Sequence, residues 1–299
     1  MGDVIHCLPA VASLKHGIPR SHVTWAIERR WAPLLEQNPY VDRVLPLDRH
    51  SFAGLKASWR TVRAERYDLA VDFQGLIKSA LVASFARSER LFGFSRSLVR
   101  ERAATLFYSV MVPSKADHVV DRYLDLASAA GASSLLRTFP IPVGSPEGTL
   151  PDGPFVLASP MAGWAAKQWP LEFYSELGRL LRAEFGCALV LNGLTRMDVP
   201  DTLPHVSGLP GLIDATRRAV AVVGVDSGPL HLAAAVGKPG VAIFGPTDPD
   251  RNGPWGGTMT ILRSPTALTT YKRDHSGVAM REISPRAVMD ALQAVLTKA

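Results

Sequence analysis

Short apolar runs alternate along this chain with longer stretches whose apolar residues recur at helical spacing. Val23–Ala26, Arg43–Leu47 and Tyr67–Phe73 read as strands. The last of these is followed by Gln-Gly and an apolar helical pattern through Leu81 and Phe85, and Asp117–Ala130 is amphipathic with a helical period. Strands separated by helices imply βαβ units and parallel sheets, because parallel neighbours need a crossover. From 138 to 154 the pattern breaks into Pro140, Pro142, Gly144, Pro146, Gly148, Pro151, Gly153 and Pro154, the composition of a linker. A second series follows: strand Phe155–Ser159, helix Leu171–Glu184, strand Ala188–Asn192, buried strand Ala219–Val225, helix Pro229–Val236 and strand Gly240–Phe244. Pro285–Leu296 is the last predicted helix, with Ser284 as N-cap and Pro285 at the first helical position. The expectation is an α/β chain of two Rossmann-like, doubly wound parallel-sheet domains, 1–148 and 149–299. Ligands of open sheets bind beyond the carboxyl ends of the strands, so two such domains are expected to face a cleft.

Composition narrows the class. The chain has 299 residues, 47% hydrophobic and 20% charged, enough for two cores. The sequence contains no apolar run of membrane-spanning length and no basic segment followed by an apolar leader, so a cytoplasmic chain is expected. Cys7 and Cys187 have no partner at metal-ligand spacing and are expected to be buried free thiols. The formal net charge is +6, and the first half carries the excess: residues 1–150 hold 19 Lys and Arg against 14 Asp and Glu, residues 151–299 hold 14 against 13. Either that half meets something anionic or its surface is simply basic. No nucleic-acid module is present, so nucleic acid is not expected as a partner. Neither half has G-x-G-x-x-G after a strand, which argues against a nicotinamide dehydrogenase.

The most informative stretch is Val225-Asp226-Ser227-Gly228-Pro229-Leu230-His231-Leu232-Ala233-Ala234-Ala235. A buried strand runs through a turn of small residues into a helix, whose first N–H groups form a natural phosphate seat. Taken alone, the segment is equally an ordinary strand–turn–helix junction, and His231 a satisfied structural histidine. Phe244-Gly245-Pro246-Thr247-Asp248-Pro249 follows as a second strand entering a rigid turn.

Together the two motifs resemble the nucleotide-sugar end of the ADP-heptose glycosyltransferases, family 9. Met1-Gly2-Asp3-Val4-Ile5-His6 resembles that family's first glycine-rich loop. Val71-Asp72-Phe73-Gln74-Gly75-Leu76-Ile77-Lys78-Ser79-Ala80, Arg100-Glu101 with Leu106-Phe107-Tyr108, and Lys167-Gln168-Trp169-Pro170 resemble the lipopolysaccharide heptosyltransferase I branch. The resemblance implies a GT-B fold and an inverting transfer of L-glycero-D-manno-heptose from ADP-heptose to a Kdo residue of the lipid A inner core. It places the general base at Asp3 and the donor at Lys167, Asp226, Ser227, Gly228, His231 and Thr247. It places the acceptor at Gly2, Asp72, Gln74, Lys78 and Arg100, with Arg60 and Arg63 as further basic contacts. No metal and no cofactor beyond the donor substrate are expected. A monomer in peripheral contact with the cytoplasmic face of the inner membrane is expected, acting on Kdo-lipid A. The C-terminal helix, about 285–297, is a candidate to pack back on the first domain.

The chain departs from the family in two places. The family has a strand ahead of its Met-Gly-Asp loop, so the first strand of the N-terminal sheet is expected to be missing here. The stretch Thr195-Arg196-Met197-Asp198-Val199-Pro200 is short where relatives carry an acidic residue for the nucleoside, and Asp198 is the candidate substitute. Two alternatives stay open: a related glycosyltransferase with another acceptor, or a sugar-nucleotide-binding protein with impaired catalysis.

Overall fold

Gly2–Gly17 is a helix, α1, where a glycine-rich loop was expected at Met1–His6. Asp3 stands in its first turn and Lys15 and His16 in its last, each with the sign that the peptide dipoles favour. Pro9 removes one backbone donor inside the helix. Ser13 Oγ donates to the Pro9 carbonyl at 2.7 Å. Every residue from Ile5 to Leu14 is buried, as in a helix surrounded by core. The computed structural model describes residues 1–48, 52–270 and 278–297. They form two compact units, Asp3–Pro142 and Val143–Ala299, the second taking in Met1 and Gly2.

In the first unit, β1 (Thr24–Glu28) pairs in parallel with β2 (Arg43–Leu47). After α2 (Phe52–Arg63) come β3 (Leu69–Asp72), α3 (Ile77–Phe85), β4 (Arg90–Phe94), β5 (Val110–Val112) and α4 (Val119–Ala129). Strands β3, β4 and β5 make a second parallel sheet. Among the described residues the two sheets share no hydrogen-bonded strand pair. One apolar layer joins Cys7, Ala10 and Leu14 of α1 to Phe92 and Phe94 of β4 and to Tyr123 and Leu126 of α4. A smaller one joins Leu45 and Leu47 to Val62 and Ala86.

The second unit is one six-stranded parallel sheet, order β11-β10-β9-β6-β7-β8. Its elements are β6 (Phe155–Ser159), α5 (Leu171–Phe185), β7 (Ala188–Gly193), β8 (Leu203–Val206), α6 (Leu209–Arg218), β9 (Ala221–Val225), α7 (Gly228–Ala235), β10 (Gly240–Phe244), α8 (Pro249–Asn252), β11 (Met259–Arg263), α9 (Val278–Arg281) and α10 (Pro285–Leu296). β6, β9 and β10 are buried at every position, which is why they read as unbroken apolar runs. The chain builds outward from β6 to β8, then returns to set β9 on the other side of β6. The strand order therefore reverses between β6 and β9.

Ser284 caps α10 by accepting from the Ala287 N–H at 3.2 Å. The buried face of this helix, Val288, Met289 and Leu292, belongs to the core of its own unit against α5 and β10. Each unit holds one free cysteine, Cys7 or Cys187, both buried.

Candidate active site

In an open parallel sheet, the loops leaving the strands on either side of the reversal point diverge and leave a crevice. Here β6 and β9 flank that point, and β10 lies next to β9. Asp226 is the first residue after β9, Thr247 follows β10, and Lys167 ends the 3-10 turn Ala165–Lys167 that follows β6. Residues far apart in sequence thus meet at one edge. Lys167 Nζ lies 2.6 Å from Asp226 Oδ2, Thr247 Oγ1 donates to the same oxygen at 2.7 Å, and His231 Nε2 stands 3.5 Å from Oδ1.

The anchor of Lys167 lies two residues on. Trp169 is buried in the core and donates its indole N–H to the Ile283 carbonyl at 2.8 Å. With that ring fixed, the preceding turn is fixed, and Lys167 Nζ sits 4.5 Å over the Trp164 ring centre. Asp226 is only 7% exposed and Lys167 16%. Burial works against ionisation of Asp226, but the hydrogen bonds and charges of His231 and Lys167 more than offset it and hold the carboxyl well below the usual range.

α7 begins beside this cluster. Its N-cap, Ser227, makes no side-chain cap, and the Ser227 hydroxyl is buried with no hydrogen-bond partner among the described residues. Pro229 has no N–H, so the first turn offers those of Gly228 and Leu230. Two backbone donors, a hydroxyl without a partner and a lysine suit a diphosphate. The start of the chain packs on this turn. Met1 lies against Gly228, and the missing Cβ of Gly2 lets the His231 ring approach: a Cβ there would stand 2.9 Å from Cδ2. Gly2, expected among acceptor contacts, thus lies against His231 at the start of α7, an approach that a residue without Cβ permits.

The first unit holds a second cluster. Asp3 receives two parallel bonds from Arg100, Nη2 to Oδ1 at 2.6 Å and Nη1 to Oδ2 at 2.9 Å. Burial pushes the Asp3 carboxyl up, but Arg100, the N-terminal ammonium and the Gln74 side chain outweigh it and hold it below its ordinary value. Asp72 lies deeper, at the end of β3. One oxygen accepts from the Gln74 and Gly75 N–H groups at 2.9 and 3.3 Å, the other from Ser79 Oγ at 2.9 Å and the Tyr108 hydroxyl at 2.7 Å. Asp72 was expected on the acceptor. In the structure it is buried with both oxygens engaged by the chain, and it orders the strand–helix junction that carries Gln74. Burial leads the causes acting on its carboxyl and leaves it above the ordinary value despite those bonds.

That loop in turn holds Arg100. Gly75 adopts φ +66°, its carbonyl accepts from Glu101 N at 3.0 Å, and Glu101 Oε2 accepts from Ile77 N at 2.7 Å. The sequence reading missed Tyr108 and Ser79 as partners of Asp72. Gly93 inside β4 was the available signal, since a Cβ there would collide with the Tyr108 ring. Lys78 is exposed on α3, and Arg60 and Arg63 are exposed on α2, where Arg63 lies 5.1 Å over the Trp59 ring. Asp198 is 69% exposed and pairs with Arg196. A more sheltered polar group lies close by: Asn192 at the end of β7 bonds His205 Nδ1 at 2.9 Å and Ser207 Oγ at 2.6 Å.

A Rossmann-like unit that gathers Lys167, Asp226 and Thr247 at its strand-order reversal, together with a unit presenting Asp3 to Arg100, suits a sugar-nucleotide-dependent transferase of the GT-B class. Residues 55–277 match glycosyltransferase family 9 (heptosyltransferase), and the chain belongs to that family. It is 30% identical over 304 residues to lipopolysaccharide heptosyltransferase 1 of Escherichia coli K12, covering 89% of this chain and 91% of the relative. It is 29% identical over 297 residues to the Pseudomonas aeruginosa protein of the same name, covering 88% and 81%. Among solved structures it is similar to E. coli heptosyltransferase WaaC with ADP and with ADP-2-deoxy-2-fluoro heptose. Their TM-scores are 0.79 and 0.77, at 25% identity, each covering 98% of this chain and 96% of the other. Among the described residues no helix is long and apolar enough to cross a membrane.

Proposed function

We propose that this chain moves L-glycero-D-manno-heptose from ADP-heptose to a Kdo residue of the lipopolysaccharide inner core, with Kdo-lipid A as acceptor and inversion at the anomeric carbon. The observation that carries the reading is the Lys167–Asp226–Thr247 constellation beside the uncapped start of α7. The relatives named lipopolysaccharide heptosyltransferase 1, and the similar enzyme solved with ADP and an ADP-heptose analogue, support heptose transfer from such a donor.

In this mechanism the second unit holds ADP-heptose by its diphosphate, and Asp226 with Thr247 addresses the sugar hydroxyls. Asp3 takes the proton of the acceptor hydroxyl while that oxygen bonds to the anomeric carbon. The bond from this carbon to the ADP oxygen breaks, and ADP leaves with the electron pair. Lys167 and the N–H groups of Gly228 and Leu230 balance the charge that grows on the diphosphate. Attack opposite the leaving group inverts the configuration. The fork of Arg100 matches the Kdo carboxylate, and Lys78, Arg60 and Arg63 supply a basic approach for the lipid A phosphates. An acceptor anchored in lipid brings the chain into peripheral contact with the cytoplasmic face of the inner membrane.

The test is incubation with ADP-heptose and Kdo-lipid A, followed by mass spectrometry of the lipid and NMR of the new linkage. Addition of one heptose with inverted configuration is expected. Transfer only to an already heptosylated acceptor would refute the acceptor assignment and leave the donor assignment standing.

A further inference from the structure

We infer that Arg100 couples acceptor recognition to the base: the acceptor carboxylate takes the guanidinium of Arg100, and this exchange frees Asp3 to accept a proton. The inference rests on the function proposed above and deepens it.

The geometry carries the argument. Both oxygens of Asp3 are occupied by the two N–H arms of one guanidinium. A carboxylate bound in this way has its in-plane lone pairs engaged by a cation and is a poor proton acceptor. The same fork fits any other carboxylate, so a Kdo carboxylate arriving at Arg100 offers two equivalent oxygens, and one pairing replaces the other. The backbone of Arg100 is held by the Gly75 carbonyl through its neighbour Glu101, so the exchange needs movement of the side chain alone. The side chains of the pair are 40% and 39% exposed, which leaves an incoming anion access.

Arg100 is the strongest of the groups that hold the Asp3 carboxyl down, and the exchange removes it. Asp3 is also approached by the Gln74 side chain and the N-terminal ammonium. Behind it stand Cys7 of its own helix, Tyr123 of α4 and Asp72 of β3. Cys7 and Tyr123 are neutral, their thiol and phenol pushed well above their ordinary values chiefly by burial. The consequence concerns water. A base left unmasked beside a bound sugar nucleotide would deprotonate water, whose oxygen would attack the anomeric carbon and release ADP with free heptose. Pairing with Arg100 protects the donor until an acceptor is present.

The experiment uses the full chain as wild type, Arg100→Gln, Arg100→Lys, Asp3→Asn and the Arg100→Gln/Asp3→Asn double variant, each checked for folding by thermal melting. ADP release from ADP-heptose is measured without acceptor. Arg100→Gln is expected to release ADP on the order of tenfold faster, a small part of what a positioned base contributes. Arg100→Lys should fall between, and the double variant should return to background. In parallel, the Asp3 carboxyl is titrated by carbon NMR with and without free Kdo. Saturating Kdo should move the wild-type titration upward, as Arg100→Gln does, and should add nothing in that variant. If Kdo leaves the titration in place, the coupling is overturned. So it is if a chain that transfers heptose shows unchanged ADP release in Arg100→Gln. A chain that transfers no heptose defeats the proposed function, while the Kdo titration, which needs no donor, still decides the coupling.

Discussion

Replacing Lys167 with methionine while leaving Asp226 in place separates two roles of the lysine. Lys167 Nζ is 2.6 Å from a carboxylate that is 7% exposed, so its removal leaves a buried negative charge supported by Thr247 and His231. Breaking a buried pair from one side costs about 3–5 kcal/mol, and the two remaining partners put this case near 3. For a unit of this size that is a fall of roughly 6–12 °C in melting temperature. The same change removes a charged donor from the diphosphate, about 1.5–3 kcal/mol, or about 10- to 150-fold in the dissociation constant for ADP. Asp226→Asn should behave differently. It frees Lys167 from its counter-charge and removes an anion from beside the phosphates, so ADP affinity should hold or tighten while turnover with ADP-heptose falls. The Lys167→Met/Asp226→Asn double variant should regain most of the lost stability, since replacing both partners is often close to neutral. Calorimetry with ADP and thermal melting read all three. If Asp226→Asn weakens ADP as much as Lys167→Met, or if Lys167→Met changes ADP affinity by less than a factor of about 3, the reading of this cluster as a phosphate seat is wrong.

Asp3→Asn should lower kcat by about 10²–10⁴ and leave the calorimetric ADP constant unchanged; a loss of ADP binding would place Asp3 at the donor instead. Arg100→Ala should raise the KM for Kdo-lipid A more than that for ADP-heptose, by about 10- to 150-fold if one charged contact is lost; movement of the donor constant alone would remove Arg100 from the acceptor. Gly75→Ala forces a side chain into left-handed backbone with its Cβ 3.0 Å from Val99 Cγ2, and should cost about 1–2 kcal/mol, visible as a lower melting temperature. The folded-state pKa of Asp226 lies below its unfolded value, so it contributes stability that is present above the ordinary carboxylate range and is lost as pH falls below about 4. Acid-unfolding curves of the wild type should be steeper there than those of the Lys167→Met/Asp226→Asn variant, and identical slopes would contradict the assignment.

The second unit was legible in the sequence for a physical reason. β6, β9 and β10 are buried on both faces, so burial leaves its mark at every position, and Phe155–Ser159 and Gly240–Phe244 were read with their observed bounds. Asp226, His231 and Thr247 were legible as motifs and Lys167 as their companion on the donor, but their meeting at the Asp226 carboxylate needed the strand order that sets β6 beside β9. The first unit was harder. α1 is buried from Ile5 to Leu14 and carries no amphipathic stripe, so no helical period marks Met1–His6, which was read from its resemblance to a glycine-rich loop. β5 is short and β4 is interrupted by Gly93, so neither shows a clear strand period; in the second unit the same holds for β8, which is short and contains Pro204. The contact between Arg100 and Asp3 spans 97 positions, and no local pattern encodes it. Asp72 was legible as a chemically important residue, but its partners Ser79 and Tyr108 were not, because burial of a carboxylate is set by what folds over it.

The distribution of the two cysteines gives the chain a built-in pair of reporters. Each unit holds one thiol, Cys7 in α1 and Cys187 at the entry to β7, 7% and 2% exposed, with both thiols pushed upward chiefly by burial. A thiol in that state reacts with an alkylating reagent only during an opening event, because the thiolate is the nucleophile and neither its ionisation nor its access exists in the closed form. Labelling rates under native conditions therefore count openings, and the two sites count them separately for the two units. A ligand that tightens only one unit should slow only that unit's cysteine, so the location of binding can be read from the native protein by mass spectrometry without any substitution.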